Sequence, residues 1–291
     1  MDLCVAGLPI RVECADEEFF SRRFAEYRRD DGREPVMVIR TRRLDEVPVP
    51  QGELIEQIRH VKVVRTPDGR MCRYAHGKYP DGREGPVLFA VYFTPDYADV
   101  DIQLFNRRRH QIFSLTDYEY MYGGGAFQNR LAVLGGGVLH SSSIAYNGQG
   151  IAFSAPSGTG KSTHTGLWKE VFGDAVEFIN DDKPAIYFED GQAMLCGTPW
   201  SGKTDLNSNR TVPLRAIVFL ERGEQNAIRR LDTVESMFHL TTQIMRPYYD
   251  EALGVHLLDF TERVLENVPI YCLNCNISHQ AVMTVFDEIF A

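Results

Sequence analysis

The strongest chemical signal in the sequence is a run of small and polar residues that ends in a lysine and two hydroxyl residues. The run reads Ser154-Ala155-Pro156-Ser157-Gly158-Thr159-Gly160-Lys161-Ser162-Thr163. Glycines let backbone N–H groups turn toward an anion, the lysine reaches β- and γ-phosphates, and the next hydroxyl binds magnesium. A strand-like segment precedes the run and a helical pattern follows it, as a phosphate-binding loop requires. We therefore predict that residues 155–163 bind ATP, with Lys161 on the phosphates and Ser162 on Mg²⁺.

Ala155 is a departure from the usual motif, which begins with glycine. Alanine has less backbone freedom, but it is small and leaves the Gly-Thr-Gly-Lys-Ser segment intact. The alternative interpretation is a Gly-rich turn that happens to carry a lysine. The strand before the motif and the helix after it favour the phosphate loop.

Phosphoryl transfer to a hydroxyl also needs a carboxylate for the metal and a base near the attacking oxygen. The pair Asp181-Asp182 follows a predicted strand at residues 176–179. We expect this strand to be the next parallel strand of an open α/β sheet, so that its end faces the ligand edge. One aspartate would then meet magnesium, directly or through water, and the other would accept a proton. The alternative is an Asn-Asp-Asp turn with solvated charges.

Three further segments carry groups that suit such a site. His140 precedes the hairpin that leads into the loop, although a lone histidine is more often structural than catalytic. Arg246 follows a predicted helix and would supply positive charge to a transition state. A second glycine-containing turn at residues 197–203 would place Trp200 and Lys203 beside the phosphates or the acceptor. A helix-end cation and an exposed loop explain these last two segments equally well.

The apolar pattern divides the chain into two parts. Residues 1–110 contain β-branched runs, turn sequences and one helical pattern, which predict a smaller, mostly antiparallel α+β domain that is accessory or binds the acceptor. Helices and strands alternate in residues 111–291, which predicts an α/β nucleotide-binding domain. The predicted strands are 36–40, 61–64, 87–93, 100–104, 142–146, 151–154, 176–179, 185–188, 216–220 and 270–273. The predicted helices are 17–27, 118–134 (interrupted by three glycines), 161–171, 233–244 and 278–290.

Composition and charge limit the class of protein. The chain has 291 residues, of which 44% are hydrophobic, so it can bury a sizeable core. Residues 1–110 carry 19 basic and 19 acidic side chains, which leaves 12 and 21 for the remainder and assigns the net charge of −9 to the second part. This charge argues against nucleic-acid binding. The arginines of the first part would dock phosphates or an acidic peptide, or, as we favour, pair with acids on a solvated face.

The sequence predicts a cytoplasmic protein that does not bind a membrane. It has no apolar run of eighteen residues, and its first residues lack the pattern of a secretory signal. The six scattered cysteines fit reduced thiols. Cys272 and Cys275 have the spacing of a redox pair or half a zinc site, but they also suit the core of a strand, which we favour. A homo-oligomer is left open.

The order of the motifs resembles the catalytic domain of HPr kinase/phosphorylase. His140, a hairpin, the Gly-rich loop, a helix, a strand and Asp181-Asp182 follow one another as in that family, and the loop is also similar to that of phosphoenolpyruvate carboxykinase. The resemblance covers about residues 135–205 and does not reach residues 1–110. It implies an α/β fold of that type, in which the loop and the aspartates meet over magnesium and ATP.

The resemblance also implies a role for each motif residue. Lys161 would hold the phosphates, while Ser162 and Asp182 would hold the metal. Asp181 would be the general base for a serine-like hydroxyl, and His140 would assist near the acceptor. The family's metal-binding glutamate and Arg-Gly motif have no counterpart at residues 195–200, and neither has the motif that reads the HPr protein. We therefore expect a divergent relative.

Three functions compete at this point. The leading hypothesis is an ATP-dependent kinase that phosphorylates a hydroxyl, either a seryl group of a peptide or protein or a small molecule. The second is a nucleotide-responsive binding module, a switch without phosphoryl transfer, which needs at most one metal-holding acid. Carboxykinase chemistry ranks lowest because the sequence shows no obvious basic cluster with a second metal site. The sequence does not identify the acceptor or the preferred base.

Overall fold

A computed structural model describes residues 1–79, 81–108, 110–202, 204–247 and 250–290. The chain divides into two compact units, residues 1–133 with 247–251 and residues 134–246 with 252–291. The fold is mixed α/β, with two large β-sheets. Among the described residues, no helix is both long enough and apolar enough to cross a membrane.

The first unit contains eight strands that form one sheet. They are β1 (Asp2–Val5), β2 (Leu8–Glu13), β3 (Met37–Leu44), β4 (Glu53–Ile58), β5 (Val61–Arg65), β6 (Met71–Lys78), β7 (Glu84–Phe93) and β8 (Asp99–Phe105), in the order β1-β2-β3-β8-β7-β6-β5-β4. Five of the seven pairings are antiparallel, and β2–β3 and β3–β8 are parallel. Helix α1 (Glu17–Arg23) ends earlier than predicted and is followed by a separate 3₁₀ turn, Ala25–Tyr27.

Helix α2 (Leu115–Val133) runs without a break through its three glycines. The predicted interruption is therefore wrong. The helix packs against β3 and β8, and this tertiary packing outweighs the low helix propensity of glycine. Because α2 packs on the first sheet, the compact units divide after residue 133 rather than after residue 110.

The rest of the chain forms the second sheet and four helices. The strands are β9 (Gly137–Val138), β10 (Ser141–Tyr146), β11 (Gln149–Ser154), β12 (Val176–Asp182), β13 (Ala185–Glu189), β14 (Gln192–Cys196), β15 (Thr211–Arg222), β16 (Ala227–Arg230) and β17 (Ile270–Cys275). The helices are α3 (Lys161–Phe172), α4 (Thr233–Gln243), α5 (Glu251–Asn267) and α6 (His279–Phe290). The strand order is β12-β10-β11-β15-β14-β13-β9, with β17 paired to β15 and β16 paired to β17.

The centre of the second unit is a parallel group of strands, β11, β15 and β17. Their apolar residues pack with α3 and α6 in one core, in which Phe153, Trp168, Val218 and Val285 are fully buried. Strands β11 and β15 read as nearly continuous apolar runs because strands covered on both faces need apolar residues on both. This core fixes the strand ends from which the candidate site is built.

Strand β12 differs from the prediction. It continues through Asp181 and Asp182 instead of ending before them, and its neighbour is the antiparallel strand β10. The expectation of an adjacent parallel strand is therefore wrong. Strand β10 is antiparallel to both β11 and β12, so β11 and β12 still point in the same direction and end at the same edge.

Candidate functional site

Three strands bring the predicted motifs to one edge of the second sheet. Strand β11 ends at Ser154, where the Gly-rich loop begins, and β10 starts at the same edge, immediately after His140. Strand β12 ends there with Asp181 and Asp182. Ser141 of β10 lies opposite Ser154 on one side and opposite Asp182 on the other. The ends of β11 and β12 are therefore two strand spacings apart, about 10 Å.

The loop holds its glycines in backbone conformations that other residues rarely adopt. The φ angles of Gly158 and Gly160 are +80° and +122°, and a Cβ on either residue would meet nothing within 4 Å. The glycines are therefore required by conformation rather than by space. Gly160 is the N-cap of α3, and no side chain at this position bonds the first N–H groups of the helix. These N–H groups therefore remain available beside the loop. Ala155 is buried in the core beneath the loop.

Lys161 is the first residue of α3, and its ammonium lies inside the loop. The residue is 9% exposed, and Nζ donates to the carbonyl oxygens of Ala155 (2.9 Å) and Pro156 (3.5 Å). Burial lowers the pKa of Lys161, and the charges of Asp182 and Asp181 oppose that shift. The ammonium is thus held by neutral oxygens that a phosphate would replace. Ser162 and Thr163 follow at the exposed start of the helix, and in the loop before it Ser157 is exposed and Thr159 is half-buried.

The two aspartates have different surroundings. Asp182 Oδ1 lies 3.5 Å from Nε2 of His140, and its Oδ2 pairs with Nζ of Lys183. Asp181 is 9% exposed, and its Oδ2 accepts a hydrogen bond of 2.9 Å from Thr204 Oγ1. The other oxygen, Oδ1, is buried and has no hydrogen-bond partner in the described part of the chain. A buried carboxylate oxygen without a partner is costly, so it suits a cation or a hydroxyl that arrives with the ligand.

His140 is held by Gln243, which the sequence analysis did not single out. The backbone N–H of His140 donates to the Gln243 carbonyl at 2.9 Å, and Nδ1 lies 3.2 Å from Gln243 Oε1. Nδ1 is placed to donate to this amide oxygen, and Nε2 lies on the side of Asp182. Burial, and then Lys161, lower the pKa of His140, while Asp182 raises it.

Asn180 shapes the chain around the aspartates, and it was also missed. It is 1% exposed, and its Oδ1 accepts from the backbone N–H groups of Asp182 (2.9 Å) and Lys183 (2.6 Å). Its Nδ2 donates to the carbonyl of Thr198 at 2.8 Å. These bonds fix the direction in which the strand end presents its carboxylates.

Arg222 holds the loop from the opposite side. Ser154 pairs with Phe219, so the last three residues of β15 extend past the end of β11 and run beside the loop. The guanidinium of Arg222 donates to the carbonyls of Thr159 (3.2 Å) and Gly158. The sequence signal was a long apolar run that ends in a charged pair, Glu221-Arg222.

Arg246 and the second glycine-containing turn differ in their relation to this group. Arg246 is exposed, and within the described ranges no hydrogen bond or ion pair links its guanidinium to His140 or to the aspartates. Lys203 lies outside the described residues. The second glycine-containing turn is not an exposed loop, because Trp200 is only 3% exposed. Gly202 lies over Asp182, where a Cβ would come within 3.1 Å of the carboxylate.

Cys272 and Cys275 both lie on strand β17. Cys272 is buried and Cys275 is half-buried. Burial raises the pKa of the Cys272 thiol to about 11, and burial also raises the pKa of Cys275. A thiol with a raised pKa is a poor nucleophile and a poor metal ligand at neutral pH. The two cysteines therefore act as small core residues.

Comparisons with known proteins add little to this geometry. No protein-family model matches the chain, and no curated protein matches it. Among solved structures, it is similar to the Hpr(Ser) kinase/phosphatase from Coxiella burnetii, with 9% sequence identity and a TM-score of 0.32 over 52% of this chain and 95% of that chain. A similarity at this level gives no evidence about function, which is indicated only by the residues of the site.

Proposed function

We propose that the chain is an ATP-dependent, HPr kinase-like phosphotransferase that moves the γ-phosphoryl group to a hydroxyl of a peptide, protein or small molecule. The observation that supports this proposal is the meeting of Lys161, His140 and the two aspartates at one sheet edge, with a buried carboxylate oxygen left unsatisfied. A buried carboxylate oxygen without a partner needs an explanation, and a ligand that binds there would supply one. The location is proposed to be cytoplasmic.

The loop would bind the phosphates through its backbone and through Lys161. The N–H groups that open at Gly158, Gly160 and the start of α3 form a positive concavity for an anion. The ammonium of Lys161 would leave the carbonyls of Ala155 and Pro156 for phosphate oxygens. Its two neighbouring aspartates keep it charged despite burial.

Ser162 and Asp182 are the residues that would hold Mg²⁺. A hydroxyl at the start of α3 and a carboxylate at the end of β12 are the hard oxygen ligands that Mg²⁺ prefers, and Mg²⁺ usually takes few protein ligands. When bound, the ion would neutralise charge on the β- and γ-phosphates. Lys183, which pairs with Asp182, would hold that carboxylate in place.

Asp181 would accept the proton of the attacking hydroxyl. Its Oδ1 is the unsatisfied oxygen, while Thr204 fixes the other oxygen and therefore the direction of the carboxylate. The acceptor oxygen would form a bond to the γ-phosphorus, the bond between that phosphorus and the β–γ bridging oxygen would break, and ADP would leave. His140, held by Gln243 with Nε2 beside Asp182, would orient the hydroxyl.

The proposal is tested by following the label of γ-labelled ATP with magnesium, with the protein alone and with a cell lysate separated by size into small molecules and macromolecules. A kinase transfers label to a hydroxyl-bearing acceptor, and Asp181→Asn abolishes that transfer while ATP stays bound. The size fraction that becomes labelled identifies the acceptor class. ATP binding without any transferred label would reject the kinase in favour of the nucleotide-responsive switch.

A further inference from the structure

Two cavities adjoin the Gly-rich loop within the second unit. The smaller has a volume of about 500 Å³ and is lined by the start of α3 and the ends of β15 and β17, including Thr163, Leu167, Gly223, Asn276 and Ile277. The larger has a volume of about 670 Å³ and is lined by β15 and α4, including Phe219, Phe238, His239 and Gln243. Arg222 and the loop residues Gly158 and Thr159 line both. Both volumes suit a small ligand.

We propose that the smaller cavity binds the nucleoside of the triphosphate, with the base between Leu167 and Ile277. This inference rests on the proposed function, because it assumes that the triphosphate lies in the loop.

The direction of the triphosphate along the loop determines where the nucleoside lies. The transferred γ-phosphate must lie by the aspartates and His140, which are on the β10–β12 side of the loop strand β11. Strands β15 and β17 lie on the other side of β11. Because a lysine in this motif reaches the β- and γ-phosphates, the α-phosphate and the sugar leave the loop away from the aspartates. The nucleoside is therefore delivered to the ends of β15 and β17.

The residues that line the smaller cavity suit an α-phosphate and a base. Thr163 is the third residue of α3, after Lys161 and Ser162, and it lies at the cavity wall, where an α-phosphate would meet it. Leu167 is half-buried against the core of the unit, and Ile277 is 78% exposed on the loop that follows β17. A base has two apolar faces, so an exposed isoleucine and a leucine on the same cavity match it chemically.

The larger cavity shares the end of β15 with the smaller one but is lined by α4 in place of β17. Gln243, which lines it, makes both contacts that hold His140, so this cavity leads to the residues around the γ-phosphate. The exposed aromatic residue of this cavity, Phe238, is also able to stack on a base. The larger cavity is therefore the alternative location of the nucleoside, and a substitution of Phe238 is the matched control.

Titration calorimetry with ATP and with inorganic tripolyphosphate, each with magnesium, separates the phosphate site from the nucleoside site. In Ile277→Ser, we expect the affinity for ATP to fall about tenfold, since an isoleucine contact is lost, and the affinity for tripolyphosphate to stay within about twofold of wild type. Leu167→Thr, at another lining residue of the same cavity, should behave in the same way. Phe238→Ser should change neither affinity. Ile277 and Phe238 are 78% and 68% exposed, so their substitution leaves the core intact.

The outcomes distinguish this inference from the proposed function. ATP affinity that is unchanged in both Ile277→Ser and Leu167→Thr would overturn the nucleoside site alone, as would a loss of ATP affinity in Phe238→Ser. Equal loss of ATP and tripolyphosphate affinity in Ile277→Ser would also overturn it, because the residue would then act on the phosphate site. Failure of wild type to bind either ligand would reject the proposed function and the nucleoside site together.

Discussion

Two buried carboxylates, Glu119 in the first unit and Asp181 in the second, differ in how fully they are hydrogen-bonded. Glu119, on α2 of the first unit, is fully buried, and both of its oxygens accept hydrogen bonds, one from Arg43 and the other from Thr41 and the backbone of Ala15. Asp181, on β12 of the second unit, is nearly as buried, but one of its oxygens has no partner among the described residues. A buried carboxylate whose two oxygens are both hydrogen-bonded stabilises the fold. A buried carboxylate with one oxygen unpaired still has an acceptor that a ligand can use.

Other acids of the first unit also pair with arginines. Asp99 accepts from Arg40 at 2.6 Å and from Arg70 at 2.8 Å, and Arg130 pairs with Asp96 at 3.0 Å. These ion pairs agree with the interpretation of the arginine-rich part as a surface of paired charges. Lys161 of the second unit donates to two backbone carbonyls rather than to a carboxylate. Lys161 and Asp181 therefore differ from Glu119 in lacking an oppositely charged hydrogen-bond partner among the described residues.

The largest expected effect on stability is at Glu119. We expect Glu119→Ala to lower the free energy of unfolding by about 4 kcal/mol, because it removes a fully buried carboxylate that accepts from Arg43, Thr41 and the backbone of Ala15. Asp181→Asn is the matched control, and it should leave stability unchanged or raise it, because it removes a charge that is not fully paired. Urea denaturation followed by circular dichroism measures both. A larger loss in Asp181→Asn than in Glu119→Ala would break the comparison.

His164 offers a test of a buried group that must stay uncharged. It is 4% exposed on α3, accepts from Trp168 Nε1 at 3.3 Å, and has its pKa lowered by burial to about 4. The unfolded chain binds this proton near pH 6.5 and the folded chain only near pH 4, so its contribution is complete above pH 6.5 and is lost as the pH falls.

We expect the stability difference between wild type and His164→Gln to shift by about 3 kcal/mol, against wild type, between pH 7 and pH 4. Glutamine keeps an acceptor for Trp168 but does not titrate, so the difference isolates the histidine. Denaturation at a series of pH values measures it. A difference that does not vary with pH would mean that His164 is not held neutral by burial.

Lys161 provides the corresponding test of ligand binding. Lys161→Ala should weaken ATP binding about 100-fold, equivalent to ~2.7 kcal/mol, because a charged hydrogen-bond donor to the phosphates is lost. Lys169→Ala, on the same helix, should bind ATP as wild type does, since Lys169 bonds the carbonyl of Val176 instead. Calorimetry measures both variants. An unchanged affinity in Lys161→Ala would reject the loop assignment.

Much of the second unit could be predicted from local sequence. The hairpin of β10 and β11, the Gly-rich loop and the start of α3 carry their own signals, namely alternating apolar residues, a turn and a motif in register. Helix α5 was missed although its signal is present, because Leu253, Leu257, Phe260 and Val264 repeat at helical spacing and are buried. That miss was avoidable.

The support of the site could not be predicted in this way. Gln243 and His140 are 103 residues apart in sequence. Arg222 donates to two loop carbonyls that precede it by 63 and 64 residues, and Thr204, which donates to Asp181, follows it by 23 residues. Such contacts depend on strand order and on register. Even the position of the aspartates followed from an antiparallel strand between β11 and β12 that the apolar pattern alone does not reveal.

The rate of γ-phosphoryl transfer by Asp181→Asn, measured beside wild type with the labelled acceptor fraction and saturating ATP, tests the central claim most directly. An asparagine has nearly the same shape but cannot accept the proton, so the account predicts a rate at least about 1,000-fold lower, with ATP affinity and folding retained. Equal transfer rates in the variant and wild type would contradict the claim that this carboxylate is left unsatisfied in order to act as the base.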